Sequence, residues 1–224
     1  MKYVIMCGGY YPGWDVLPRQ MLRIRGEAIV ERTVRLLKER GVDPEDIFIS
    51  SDNPDFEQYA PVLYHNNQYA TNKDDTDNNG LWTDAFYPMD EPCTYLMGDV
   101  VFSPDAISKI VNTDTDDIEF FASAPPFPPQ YTKPWAEPFA FKVVNQPHLR
   151  SAIQLTQIFM RQGAFRRKPI AWELWQVIKG HRLNVIEYDS YVHINDYTCD
   201  VDSIDDLAKI EAKMPYETSM ERIG

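Results

Sequence analysis

Cysteine is scarce and dispersed in this chain. Cys7, Cys93 and Cys199 are odd in number and show no Cys-x-x-Cys spacing, so neither a disulfide framework nor a zinc site is suggested. Buried thiols are the expectation. Positive charge is also in deficit, with 22 Lys and Arg against 34 Asp and Glu and a formal net charge of -12. That balance excludes a broad basic footprint, so a nucleic acid polymer is not an expected partner. No run approaches the roughly 20 apolar residues of a membrane span, and Met1 to Met6 enters directly into an apolar strand pattern instead of a signal peptide. A cytoplasmic protein without membrane association is expected. Internal repeats and low-complexity tracts are missing as well.

What remains is 224 residues, 44% hydrophobic and 25% charged, enough to build one substantial core. KYVIM, Lys2 to Met6, reads as a strand, and the Gly, Pro and aromatic residues up to Pro18 read as a long loop. AIVERTVRLLKERG carries Ile29, Val30, Val34 and Leu37 at helical spacing, with Gly41 placed as a C-cap glycine. IFIS at Ile47 to Ser50 is the next strand, which gives a strand, helix, strand unit. The alternation continues with VLYH near Val62, a helix from Leu81 to Phe86, TYLM at Thr94 to Met97, a helix from Pro104 to Val111 and IEFFA at Ile118 to Ala122. Six prolines between Ala124 and Pro138 exclude a regular helix or central strand there and predict an ordered loop or lid. FAFKVV at Phe139 to Val144 and NVIEY at Asn184 to Tyr188 read as strands. Leu149 to Met160, Trp172 to Ile178 and about Ser203 to Met214 read as helices, the last with Ser203 as N-cap and Asp205 and Asp206 in its first turn. The predicted architecture is a single three-layer α/β/α domain with a mixed, mostly parallel sheet.

In open α/β sheets, ligands bind beyond the carboxyl ends of the strands. Four such positions are polar here: Cys7-Gly8-Gly9, Ser51-Asp52-Asn53, Gly98-Asp99 and Asp200-Val201-Asp202. Glycines after a first strand let backbone N–H groups approach phosphate, and carboxylates at strand ends attract a divalent cation. Each element has a plainer reading too. The Gly pair serves equally as a turn, Gly98-Asp99 as a turn with a capping acid, and Asp202 as a charge favoured at the positive end of the last helix.

The order of these blocks resembles the pyrophosphorylase-type nucleotidyltransferases, whose chains open with a strand, a Gly-rich loop and a Pro-Lys dipeptide before the first long helix. Here the opening reads VIMCGGYYPGWDVLPRQMLRIRGEAIVERTVRLL, with the match in Pro18-Arg19-Gln20-Met21-Leu22 through Leu37. MGDVVF, Met97 to Phe102, looks like the family's Gly-Asp metal motif, and DVDSIDDLAKIE, Asp200 to Glu211, looks like its C-terminal Asp-Ser/Thr-x-x-Asp-Leu motif. Leu63 to Ala85 is similar to a segment of bacterial cytidylyltransferases acting on phosphocholine and related phosphates or phosphonates, through Asn66, Tyr69, Asn78 and Asn79. Trp172 and Trp175 resemble a tryptophan pair of that branch, or equally form an amphipathic helix that buries two indoles.

The resemblance implies a nucleotide-binding half over about residues 1–112 and an acceptor-binding half over about 113–224. It implies transfer of a nucleoside monophosphate, CMP from CTP in the closest branch, to a small phosphorylated or phosphonate acceptor with release of pyrophosphate. Arg19 is then the catalytic cation. Cys7, Gly8, Gly9, Tyr10, Asn79 and Gly98 bind the nucleotide, Asp99 and Asp202 hold Mg²⁺, and Trp135, Glu137, Trp172 and Glu173 face the acceptor. An aromatic wall with an acid would suit a cationic head group. The implied partners are a nucleoside triphosphate and the acceptor, with a homodimer as the assembly to test. Two departures stand out: the Gly-rich loop lacks the family's Arg, and Arg19 replaces its Lys, with Arg23 and Arg25 close by. Alternatives are a sugar-1-phosphate nucleotidyltransferase, a GT-A-type glycosyltransferase using Asp200-Val201-Asp202 as its D-x-D motif, and a catalytically silent nucleotide-binding regulatory protein.

Overall fold

A computed structural model of the chain describes residues 1–8, 17–65 and 82–215. Lys2–Met6 forms β1, buried at four of its five positions. Two short strands, Arg23–Ile24 (β2) and Glu27–Ala28 (β3), pair antiparallel and lead into α1, Ile29–Glu39. The apolar positions of α1 face the core, and the helix stops where Gly41 takes a φ of +80°, the left-handed conformation that a Cβ resists. Ile47–Ser51 (β4) and Val62–Tyr64 (β5) follow. Then come Cys93–Met97 (β6), Val100–Val101 (β7), Pro104–Asn112 (α2), Ile118–Ser123 (β8) and Glu137–Val143 (β9). Gln146–Arg161 (α3), Ala171–Lys179 (α4), Val192–His193 (β10), Cys199–Asp200 (β11) and Ile204–Lys213 (α5) complete the described elements.

Seven strands form one sheet in the order β10-β8-β9-β6-β1-β4-β5. Only β9 runs against its neighbours β6 and β8, so the sheet is mixed and mostly parallel. Adjacent residues on β9 show how the helices flank it. Phe141 stacks on Phe120 at 4.5 Å and approaches Trp175 of α4. The next residue, Lys142, points to the opposite face and donates to the Ile110, Val111 and Thr113 carbonyls at the end of α2. Because successive side chains alternate across a strand, α4 and α2 lie on opposite faces, which makes the fold a three-layer α/β/α sandwich.

From β1 the chain moves outward through β4 and β5, then returns to the other side of β1 as β6. The switch in direction therefore falls between β1 and β6, the place where open α/β sheets have their ligand crevice, beyond the carboxyl ends of the strands. At that point β7 pairs antiparallel with β11, bringing Val100 opposite Asp200.

Two sequence expectations are corrected. Asn184 to Tyr188 is not a strand, because α4 side chains take its carbonyls and their neighbours': Gln176 donates to Arg182 O and Val185 O, and Trp175 Nε1 donates to Asp189 O. The edge strand is Val192–His193 instead, paired parallel with β8. The helix expected from Leu81 to Phe86 is a 3₁₀ turn at Trp82–Ala85, with Leu81 outside the described residues. All three cysteines are buried free thiols, and no helix among the described residues is long and apolar enough to cross a membrane.

Candidate active site

Pro18 sets an extended backbone ahead of a 3₁₀ turn at Arg19–Met21 and so directs Arg19 inward. Its guanidinium, nearly sealed from solvent, works as a fork. One terminal nitrogen donates to Asp202 Oδ1 and to the Val201 carbonyl, both at 2.7 Å, and the other to Asp99 Oδ2 at 2.9 Å. Asp99 follows β6 and Asp202 follows β11. What joins them across 103 positions is the β7 to β11 pairing and the Val201 N–H donating to the Asp99 carbonyl at 2.9 Å.

A second cation lies beside the first. Lys133, buried in the proline-rich loop, places Nζ 2.7 Å from Asp200 Oδ1 and 2.5 Å from Asp202 Oδ2, with Asp206 at 3.9 Å and Glu137 at 4.0 Å. Glu137 opens β9 and accepts from Trp135 Nε1. The Trp135 ring is half exposed, with Lys133 Nζ 5.6 Å from its centroid.

Five carboxyl groups thus surround two cations. Burial pushes the Asp99 carboxyl up, against the attraction of Arg19. Glu137 is raised by burial and then by the charge of Asp200, and Asp200 by burial and the charges of Asp202 and Asp99, in spite of Lys133. Asp202 differs: burial would raise it, but hydrogen bonds from Lys133 and Arg19 hold it below the usual carboxylate range. Burial opposes the charge on Lys133 as well, yet the carboxylates keep it protonated well above its ordinary range.

Cys7 and Gly8 lie at the carboxyl end of β1, beside Gly98. Cys7 N donates to Ser50 O at 2.9 Å, Ser51 Oγ to Cys7 O at 3.2 Å, and Gly98 N to Met6 O at 3.0 Å, which fixes the crevice floor. Gly9, Tyr10 and Asn79, with Asn66, Tyr69 and Asn78, lie outside the described residues.

The sequence-predicted residues divide by place. Arg19, Gly98, Asp99, Trp135, Glu137 and Asp202 gather at the crevice. Glu137, expected to face an acceptor, has a carboxylate oxygen within 4.8 Å of those of Asp200 and Asp202, a spacing able to hold a metal ion. Trp172 and Glu173 correct the expectation of an acceptor wall. Trp172 is 1% exposed and packed edge-on against Phe120, Tyr188 and Tyr191. Glu173, also 1% exposed, caps α4 through the Ile170 N–H and pairs with Arg167. Lys133 was missed in the sequence. Its one signal was an isolated cation inside a proline-rich loop of an acidic chain, which carries no periodicity.

No family model matches the chain, and no curated protein matches it in sequence. Solved structures do match in shape. A protein of Bacillus anthracis assigned as a glucose-1-phosphate thymidylyltransferase, crystallised with sucrose, superposes with a TM-score of 0.54 at 14% identity over 95% of this chain and 94% of its own. At that identity the likeness establishes the fold alone, a three-layer α/β arrangement shared along nearly the whole of both chains.

Proposed function

We propose that this chain is a Mg²⁺-dependent nucleotidyltransferase that moves a nucleoside monophosphate, CMP from CTP, onto a small phosphorylated or phosphonate acceptor and releases pyrophosphate. The observation that carries this reading is the meeting of Asp99, Asp200 and Asp202 with Arg19 and Lys133 at the switch point of the sheet. The fold match to a sugar-phosphate nucleotidyltransferase supports it.

The donor set suits magnesium: the carboxylate oxygens are hard ligands, and Glu137, Asp200 and Asp202 already converge. Asp99 and Asp202 would hold the ion, with Asp200 and Glu137 in support. When bound, Mg²⁺ supplies charge neutralisation for the phosphates. Arg19 and Lys133 do the rest of the electrostatic work. Each now spends its charge on carboxylates, and each can turn to phosphate oxygens once those carboxylates are otherwise engaged, stabilising the charge that builds at the α-phosphorus and on the leaving pyrophosphate. The acceptor's phosphate or phosphonate oxygen is already anionic, so no general base has to be found. Alignment of that oxygen falls to the crevice wall at Trp135 and Glu137.

The test crosses four nucleoside triphosphates with phosphocholine, phosphonates and sugar 1-phosphates, and measures pyrophosphate. Release with CTP and a phosphocholine or phosphonate acceptor is expected, and Asp99→Asn or Asp202→Asn should abolish it. Full turnover in either variant would remove that residue from the mechanism. Release with a sugar 1-phosphate alone would move the acceptor class, and absence of turnover with any pair would overturn the reading.

A further inference from the structure

Away from the crevice, the loop between α4 and β10 folds three metal-competent side chains together. One ligand atom each from His181, Glu187 and Asp189 lies within 4.8 Å of the other two. We infer that this loop is a second divalent-metal site, independent of catalysis, for an ion that accepts one imidazole nitrogen and carboxylate oxygens, with Zn²⁺ as its reference ligand.

The His181 ring supplies the strongest indication. Its Nδ1 is shut off from solvent and makes no hydrogen bond, yet it stands 3.3 Å from Asp189 Oδ1. Two ligand atoms bound to one zinc at about 2.1 Å each, at a tetrahedral angle, sit about 3.4 Å apart. The His181 side chain is 20% exposed overall, and a shared cation would take this ion-pair contact as two ligand bonds.

Preorganisation is the second indication. His181 N donates to Gln176 O at 2.8 Å, Gln176 Nε2 to Arg182 O at 2.5 Å, and Trp175 Nε1 to Asp189 O at 3.2 Å. Trp175 and Gln176 are fully buried on α4, so the helix fixes both ends of the ligand loop. The carboxylates of Glu187 and Asp189 remain 35% and 56% exposed, which leaves an entry path and room for water to complete the shell. One competitor is present: Arg182 Nε lies 3.7 Å from Glu187 Oε1 on a side chain 80% exposed, free to swing into solvent.

Chelator-treated full-length protein, kept in excess Mg²⁺ to occupy the crevice carboxylates, is titrated with Zn²⁺ by calorimetry while tryptophan emission is followed, since Trp175 touches the loop. One equivalent should bind with a change in emission. Affinity should fall about tenfold or more in His181→Gln and in Asp189→Asn, and stay unchanged in Asp202→Asn. X-ray absorption at the zinc edge should show one imidazole in the first shell. If His181→Gln fails to fold, Glu187→Gln and the absorption spectrum decide. No zinc uptake, equal affinity in the His181 variant, loss only in Asp202→Asn, or a shell without imidazole would each overturn the inference. Pyrophosphate release plays no part in this readout, so the site stands or falls apart from the proposed activity.

Discussion

The Gly98 side chain, one hydrogen, stands where a methyl group would lie 2.5 Å from the Met6 carbonyl oxygen and 2.7 Å from Cys7 Sγ. Backbone cannot yield there without parting β1 from β6, so Gly98→Ala should cost about 1–3 kcal/mol of stability, read as a lower urea midpoint at unchanged slope. Arg19 faces a different constraint. Its fork spans Asp99 and Asp202, and a lysine, being a single point charge, reaches both less well. Arg19→Lys should retain part of the activity, whereas Arg19→Gln should lower kcat about 10²–10³-fold, measured as pyrophosphate release. Equal losses in both variants would show that geometry outweighs charge. At this scale the sequence was partly legible. The Gly-Asp and Asp-x-Asp blocks marked Asp99 and Asp202, because carboxylates at strand ends leave a local signature. Lys133 left only its isolation as a cation in the proline-rich loop, since its place in the cluster comes from a loop path that local pattern does not encode. The burial of Trp172 and Glu173 was equally hidden: an indole and a carboxylate on a helix look alike whether they face a ligand or the core.

Among the elements, β1 and α1 were readable almost to the residue, since an apolar run ending in Gly and a 3.6-residue period ending at Gly41 admit few alternatives. NVIEY misled because alternation predicts a strand only when a neighbouring strand is free to pair, and here Gln176 and Trp175 had claimed the segment's backbone. β7 and β11, at two residues each, are too short to show any period, yet they hold the crevice together. Lys142 offers an element-scale test. Its buried ammonium closes the end of α2 with three hydrogen bonds to carbonyls, at 2.6 to 3.0 Å. Burial lowers its pKa. Lys142→Met leaves those acceptors unpaired and should cost about 1–3 kcal/mol, with amide exchange accelerating in the last turn of α2. Unchanged exchange there would show that water replaces the ammonium at no cost.

For the whole molecule, the net charge of -12 takes on a direction. Part of the acid converges on one crevice, where Glu137 and Asp200 are held above the ordinary carboxylate range. The sign follows from linkage: the folded chain keeps protons that the unfolded chain has released, so rising pH favours unfolding. In chelator, the melting temperature should decline as pH rises above about 5. Glu137→Gln should flatten that decline, and Mg²⁺ should offset it. A melting temperature that rose with pH in chelator would contradict the assigned protonation.

The pairing of β7 with β11 also sets an order in time. A nascent chain that has emerged through Thr198 already holds Arg19, Lys133, Asp99 and Glu137, but Asp200, Asp202 and Asp206 are still to come. Until then three of the five carboxyl groups described around the two cations are missing. The crevice is therefore among the last parts of the molecule to become electrostatically sound, and a chain halted before Cys199 would carry a nearly complete sheet around an unbalanced centre.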